Sequence, residues 1–200
     1  MRHERDARES GFRDPVHDAQ ATFRCAMRAL AEPGTIRTLG ADVAPPAPLM
    51  AGTAALLLAL ADYETPIWLD PAIRAAEGPS GFLRFQTGAP VTDDRSKAGF
   101  AVLTGPAGLT RKHGFAEGSL EYPDRSTTVI IQVERLEAGE GWRLAGPGIK
   151  GEARLAITPQ TAELVEALTI NHELFPRGID VYFVCGTRIA ALPRSTRITV

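Results

Sequence analysis

Apolar residues recur at steps of three and four near the start of the chain, and this spacing predicts a helix. Asp14 and Pro15 mark its start, because an aspartate side chain caps free backbone N–H groups and proline already has a helical φ. Pro33 and Gly34 mark its end. The predicted apolar stripe consists of Val16, Ala19, Phe23, Met27 and Leu30.

Two further stretches also predict helices. Residues 49–61 are apolar nearly all round, which is typical of a helix that is buried or that contacts another subunit. Residues 159–171 alternate Ala, Val and Leu with Glu163 and Glu166, and therefore predict a third, amphipathic helix.

Short runs of β-branched and aromatic residues predict strands, and the most regular run is 127–133. Glu140 and Gly141 favour a turn, so 142–145 is predicted to pair back as a hairpin. Residues 105–126 predict a surface loop with one short helix at 107–113. The other predicted strands are 65–69, 81–87, 100–104, 180–185, 188–192 and 196–200. Together these elements indicate an α/β fold with a mixed β-sheet, whose strand order the pattern does not give.

Length and composition narrow the class of protein. The 200 residues are enough for one domain, predicted at 12–200, after a charged, mobile tail at 1–11 that lacks a secretory signal. A net charge of −2 offers no basic excess for a nucleic acid. The longest apolar run, 49–61, is shorter than the roughly 20 residues of a membrane span, so we expect a cytoplasmic protein.

Neither the cysteines nor the histidines have the spacing of a metal site. Cys25 and Cys185 are far apart, and we expect both to be small buried hydrophobes rather than a disulfide. Asn171-His172-Glu173 lacks the second histidine of a zinc-protease helix, because Pro176 stands at that position. His172 is better explained as a helix-end residue facing the negative pole of the dipole.

A glycine-rich loop at 146–151 matches the pattern G-x-G-x-x-G. A predicted strand leads into it, but the stretch that follows is short and runs into Pro159, where a nucleotide-binding fold would begin a helix. We therefore favour a tight structural loop, with a small nucleotide-binding enzyme as the weaker alternative. Lys97, Lys112 and Lys150 all lie in loop-like sequence, which argues against a pyridoxal phosphate enzyme.

Two arginines lie at predicted strand ends, where they could contact a ligand. Arg177 precedes the strand at 180–185, and Arg194 lies between the last two strands. The planar guanidinium suits phosphate and phosphonate oxygens, so Arg177 and Arg194, with Asp180, are the predicted anion-binding residues. The alternative is that each arginine ties down a loop through backbone carbonyls or a nearby acid, and that Asp180 is a structural cap.

Seven short blocks, taken in order, resemble the PhnH family of the bacterial carbon–phosphorus lyase system. They cover roughly residues 12–200, and the segment 105–117 falls outside them. The blocks are Phe23-Arg24 and Met27 with LAEPG at 30–34, LAD at 60–62 with TPIWL at 65–69, LRFQTGAP at 83–90, GSLEYPD at 118–124 with the strand 128–133, LAGPGI at 144–149, FPRGID at 175–180 and LPRST at 192–196.

This resemblance implies a fold, partners and a function. The fold would be a three-layer-like mixed β-sheet with flanking helices, a reduced relative of the pyridoxal-phosphate transferases without any cofactor. The chain would form a homodimer and join PhnG-, PhnI- and PhnJ-like subunits. That complex makes ribose 1-alkylphosphonate 5-triphosphate from ATP and alkylphosphonate and releases adenine. The alternative is a non-catalytic assembly subunit without a ligand site of its own, since the sequence shows no nucleophile motif, metal site or phosphate loop.

Overall fold

A computed structural model describes residues 11–200 of the chain, which contain five α-helices. The predicted tail at 1–11 lies outside the described residues, apart from Gly11. No helix among residues 11–200 combines the length and the apolar character that a membrane crossing needs. The helices are α1 (Pro15–Ala31), α2 (Ala51–Leu60), α3 (Pro71–Ala75), α4 (Pro79–Thr87) and α5 (Ala162–Glu173).

The described strands form two sheets. The strands are β1 (Arg37–Thr38), β2 (Ile67–Leu69), β3 (Val91–Thr92), β4 (Phe100–Leu103), β5 (Thr128–Gln132), β6 (Arg135–Ala145), β7 (Ala153–Thr158), β8 (Asp180–Cys185), β9 (Arg188–Leu192) and β10 (Arg197–Thr199). The seven-stranded sheet has the order β1-β9-β8-β5-β4-β2-β3, and the three-stranded sheet has the order β10-β6-β7. In the larger sheet β2, β3, β4, β5 and β8 run parallel, and β9 is antiparallel to both of its neighbours.

Alternating apolar residues cover both faces of the larger sheet. In β5, Val129 and Ile131 face one hydrophobic cluster and Ile130 faces the other. Helices α1 to α4 close the Ile130 face, whereas α5 and the small sheet close the opposite face. The result is a layered α/β fold with a mixed sheet between two cores, as predicted.

Helix α1 begins and ends where the sequence predicts, but it buries a different face. Asp14 Oδ1 accepts hydrogen bonds from the backbone N–H groups of Val16 and His17 at 3.2 and 3.1 Å. The residues buried against the sheet and α2 are small ones: Thr22, Ala26 and Ala29. The predicted buried stripe is wrong at three positions that are exposed: Val16, Phe23 and Met27. Small side chains allow α1 to pack closely, and the bulky ones remain at the surface.

Residues 81–87, predicted as a strand, form most of α4 instead. Pro79 occupies its first turn, and Gly88 ends it in the left-handed conformation at φ 73°. Two aromatic residues three positions apart, Phe82 and Phe85, suit a helix, and only Phe82 is buried. Pro79 and Gly88, at the two ends, indicated this helix better than the apparent alternation within 81–87 indicated a strand.

The predicted turn at Glu140 and Gly141 lies inside β6. The register with β7 shifts between Ala138 and Trp142, and positive φ angles at Gly139 and Gly141 accommodate the irregularity. The hairpin partner is therefore β7, a strand that was not predicted. The helix predicted at 107–113 is only a 3₁₀ turn at Pro106–Gly108.

Both cysteines are half-buried rather than buried, contrary to prediction. Burial raises the pKa of the Cys25 thiol. The Cys185 thiol lies 3.2 Å from the Glu134 carbonyl oxygen.

Candidate functional site

Arg194 and Asp180 form a bidentate ion pair at the start of β8. Arg194 Nη2 lies 2.7 Å from Asp180 Oδ2, and Arg194 Nε lies 3.2 Å from Oδ1. The backbone N–H of Arg194 also donates to Oδ1 at 2.9 Å. The side chains are only 13% and 22% exposed, so solvent screens this pair weakly.

The remaining contacts of Arg194 reach a distant loop. Its Nη1 donates to the Pro123 carbonyl oxygen at 2.5 Å, and its Nη2 donates to Ser126 Oγ at 2.6 Å. An arginine side chain has five N–H donors, so these bonds and the Asp180 pair use most of its capacity. The geometry favours the loop-tying alternative for Arg194, because an incoming anion would have to displace several of these partners.

Residues 117–126, called here the 117–126 loop, are fixed by further backbone bonds. Gly178 N donates to Glu117 O at 2.8 Å, and Ser119 N donates to Tyr122 O at 3.1 Å. Gly118 has a φ of 72°, and a Cβ there would lie 2.8 Å from Pro123 O, so the turn needs glycine. Together with Arg194, these bonds hold the loop in a defined shape.

This rigid loop displays apolar side chains to solvent. Leu120 is 75% exposed at its tip, and Phe175, on the neighbouring connection between α5 and β8, is 60% exposed. Tyr122 is also exposed, and the Arg125 guanidinium lies 4.1 Å from the centroid of its ring. Apolar groups held rigidly at a surface are typical of protein interfaces. Sequence reasoning missed these residues, although apolar side chains in a polar loop could have indicated them.

Arg177 lines an open depression of about 540 Å³ beside this loop, here called the Arg177 depression. Leu120, Glu121 and Glu173 line it too. Within residues 11–200, the Arg177 guanidinium makes no hydrogen bond and no ion pair. Arg177 therefore has a free donor set, unlike Arg194, but two carboxylates share its surroundings and make the depression unattractive to an anion.

Asn171 fixes where Arg177 and Phe175 emerge. Its Nδ2 donates to Ile179 O at 2.9 Å, and its Oδ1 accepts from Ile179 N at 2.8 Å. A Cβ on Gly178 would lie 2.6 Å from Asn171 Oδ1 and 3.2 Å from Arg194 Cβ, so the end of α5, the start of β8 and Arg194 pack tightly together. The three predicted residues thus share one region, but only Asp180 and Arg194 contact each other.

The other candidate motifs have structural explanations. In the 146–151 loop, Gly148 lies against the end of α1, where a Cβ would overlap the Ala31 carbonyl oxygen. Strand β7 follows this loop, not the helix that nucleotide binding requires. Among residues 11–200, no three His, Cys, Asp or Glu side chains are close enough to hold a metal ion. His172 lies in the last turn of α5, as predicted, and its Nδ1 is buried without a hydrogen-bond partner in the described structure.

The start of α2 fills the crevice beyond the carboxyl ends of β5 and β8. Met50 N donates to the buried Gln132 Oε1 at 2.6 Å, and Gly52 N donates to Gly186 O at 2.8 Å. Gln132 Oε1 also accepts from Thr53 Oγ1 at 3.0 Å. Open α/β sheets usually bind ligands in this kind of crevice, so at these two strands the chain itself takes the place of a ligand.

A buried histidine lies close to the foot of the 117–126 loop. His113 Nδ1 accepts from Phe115 N at 3.0 Å, which places the proton on Nε2, 3.8 Å from Glu117 Oε1. Burial lowers the pKa of His113, and the Glu117 carboxylate opposes this effect. The ring is therefore neutral at pH 7.

Comparisons with known proteins agree on one family. The family model for the bacterial phosphonate metabolism protein PhnH matches residues 10–199. The alpha-D-ribose 1-methylphosphonate 5-triphosphate synthase subunit PhnH of Rhizobium meliloti (strain 1021) is 40% identical over 187 residues, which cover 94% of this chain and 93% of that protein. A protein of Stutzerimonas stutzeri named "Putative C-P lyase subunit protein HtxG" is 36% identical over 83 residues, 42% of this chain and 43% of that protein.

Proposed function

The chain belongs to the PhnH family of bacterial phosphonate metabolism proteins, and on this basis we propose that it is a subunit of a multi-subunit carbon–phosphorus lyase complex. The observation that carries the proposal is the nearly full-length match to a protein named as a subunit of ribose 1-methylphosphonate 5-triphosphate synthase. The proposed complex joins ATP and an alkylphosphonate to form ribose 1-alkylphosphonate 5-triphosphate and releases adenine. The expected partners are PhnG-, PhnI- and PhnJ-like subunits in the cytoplasm.

Within this complex, we assign the surface around the 117–126 loop to docking. Leu120 and Phe175 supply apolar area, and the Arg194 contacts hold the loop in place before a partner arrives, which reduces the entropy lost on binding. Arg177, which makes no ion pair within residues 11–200, forms a charged rim beside these apolar residues together with Glu121 and Glu173. This role agrees with the alternative of a non-catalytic assembly subunit, since Arg194 and Asp180 are already occupied by each other.

The homodimer is a separate part of the proposal. Val16, Phe23 and Met27 lie on one side of α1 and are exposed. An apolar stripe on one helix can pack against the same stripe of a second copy in a two-fold interface. Phe23→Glu should therefore convert a dimer to a monomer in a mass measurement.

We also retain the proposed kinship with the pyridoxal-phosphate transferases, reduced and without the cofactor. It rests on the resemblance of the sequence blocks, and the feature to compare is the seven-stranded, mainly parallel sheet with layers on both faces. Residues 12–200 would then act as one domain. Superposition of an experimental structure on such a transferase tests this kinship through the order and direction of its strands.

The test of the function is co-expression of the tagged chain with the sister subunits from the same source, followed by capture and mass measurement. A stable complex is expected, and Leu120→Asp and Phe175→Asp should each reduce the captured subunits about tenfold or more, as hot-spot residues do. Tyr63→Asp, at an exposed aromatic residue elsewhere, is the matched control.

The possible outcomes distinguish a wrong assignment to the complex from a wrong assignment of the docking surface. A chain that captures no sister subunit would contradict membership of the complex. A normal yield of complex with both tip variants would leave membership intact and show that the docking surface lies elsewhere.

A further inference from the structure

A second pocket, of about 440 Å³, lies beyond the carboxyl ends of β2 and β3. Trp68 and Leu69 contribute from β2, Arg74 from α3, and Asp93 and Arg95 from the segment that follows β3. We call it the Arg74–Arg95 pocket. It lies at the carboxyl ends of the parallel strands, whereas the Arg177 depression adjoins the amino end of β8.

The topology of the sheet makes this edge a favourable place for a ligand. Strand β2 has β3 on one side and β4 on the other. The connection from β2 to β3 packs Ile73 and Phe82 on one face, whereas the connection from β4 to β5 packs Leu109 and Phe115 on the other. The connections that follow the neighbouring strands β2 and β4 therefore lie on opposite faces of the sheet. Ligands of open α/β sheets bind beyond the carboxyl ends of strands at such a point, which adjoins this pocket.

Arg95 is oriented before any ligand arrives. Its guanidinium carbon lies 4.3 Å from the centroid of the Trp68 ring and 5.2 Å from that of Phe115. Its Nη1 donates to His113 O at 2.9 Å. These contacts hold the guanidinium plane. The bond to His113 O is the one hydrogen bond of this group within residues 11–200, so other N–H donors are left for an acceptor in the pocket.

Arg74 is paired with a carboxylate that can leave easily. Its Nη1 contacts Asp93 Oδ1, and the Asp93 side chain is 88% exposed. Exposed ion pairs contribute little to stability because solvent screens them, so a better acceptor can replace Asp93 at little cost. The Asp93 carboxylate shows where an anionic oxygen can meet Arg74.

We propose that the Arg74–Arg95 pocket binds a tetrahedral oxyanion, a phosphate or phosphonate group, which Arg74 and Arg95 contact in place of Asp93. Two guanidinium groups face one removable carboxylate here, whereas two carboxylates surround the one arginine of the Arg177 depression. This proposal depends on the proposed function in one respect only: that function determines which ligands are tested. It gives the chain a ligand site of its own, which the pure assembly alternative lacks.

Two substitutions in the pocket should change its affinity for the oxyanion in opposite directions. Arg74→Gln removes a ligand contact, and binding should weaken about tenfold or more, since a charge-assisted hydrogen bond contributes roughly 1.5–3 kcal/mol. Asp93→Asn removes the competing carboxylate, and binding should tighten by about two- to fivefold. Arg13 and Asp42 form an exposed ion pair elsewhere, at 2.6 Å, so Arg13→Gln and Asp42→Asn make the same charge changes outside the pocket.

The measurement is calorimetric titration of the full chain, alone and in the reconstituted complex, at low ionic strength. Methylphosphonate, inorganic phosphate and ATP are the three probes. Opposite shifts in Arg74→Gln and Asp93→Asn, with both controls unchanged, support the site. The probe that shows them most strongly identifies the oxyanion source as free phosphonate, free phosphate or the nucleotide's phosphate chain.

Failure of this site can be told apart from failure of the proposed function. The proposal is overturned if no probe binds in either preparation, or if binding ignores Arg74→Gln and Asp93→Asn. Capture of the sister subunits is measured on the same variants. Normal capture without oxyanion binding would retain the subunit function and reject only this pocket.

Discussion

Replacing Arg194 by methionine separates a loop-tying arginine from a ligand-binding one. The change keeps much of the aliphatic length of the side chain and removes its bonds to Asp180, Pro123 and Ser126. It also leaves the Asp180 carboxylate largely buried without its partner. A ligand-binding arginine would be lost with little effect on folding, whereas a loop-tying one contributes to stability.

The expected loss follows from the contacts. A hydrogen bond to a charged group contributes about 1.5–3 kcal/mol, and removing one partner of a fully buried pair costs about 3–5 kcal/mol. The Arg194–Asp180 pair retains some exposure, 13% and 22%, so we expect Arg194→Met to lower the free energy of unfolding by about 2–4 kcal/mol.

Urea denaturation measures this loss, and a double-mutant cycle with Asp180→Asn isolates the pair. The coupling energy should be about 1 kcal/mol or more, because the two side chains share hydrogen bonds. Arg197→Met, at an exposed arginine three residues further along, is the control and should change stability by less than about 0.5 kcal/mol. A stability loss below about 0.5 kcal/mol for Arg194→Met, with an unchanged urea slope, would refute the loop-tying role.

Three other predictions follow from local geometry. Gly148→Ala should cost clearly more in urea denaturation than Gly151→Ala, because both glycines have φ near +80° but only at Gly148 would the Cβ overlap backbone; equal costs would contradict this account. Asn171→Leu should cost about 2–4 kcal/mol on the same assay, since it leaves two backbone groups of Ile179 unpaired, and a neutral result would be incompatible with those bonds. Thermal unfolding should show stability falling as the pH decreases below about 6.5, because the unfolded chain protonates His113 while the lowered pKa keeps the folded ring neutral; His113→Gln should flatten this part of the profile, and an unchanged slope would exclude His113 as its source.

The sequence predicted elements well where local chemistry defines them. Asp14 and Pro15 begin α1 as expected, because a cap and a fixed φ act within one turn. Strand β5 was found because its β-branched run is buried on both faces. The face that α1 buries could not be predicted, since apolar spacing does not distinguish a protein's own core from a surface left for a partner.

The anion-binding role predicted for Arg177, Asp180 and Arg194 stays a prediction. Arg177, Asp180 and Arg194 do lie in one region, and the loop-tying alternative described the Arg194–Asp180 pair. The partners of Arg194 in the 117–126 loop are 71 and 68 positions away in the sequence. No local sequence pattern can indicate a contact between residues so far apart. Arg74 and Arg95 were missed for the same reason, because only the folded sheet brings the ends of β2 and β3 together.

The attachment of the 117–126 loop also sets a time order for assembly. Arg194 and Gly178 hold the loop, but both follow it in the chain and are synthesised well after it. A nascent or truncated chain therefore has the loop sequence without its fixed shape. A partner that recognises that shape would therefore bind only after Arg194 has been made and has formed its bonds to the loop.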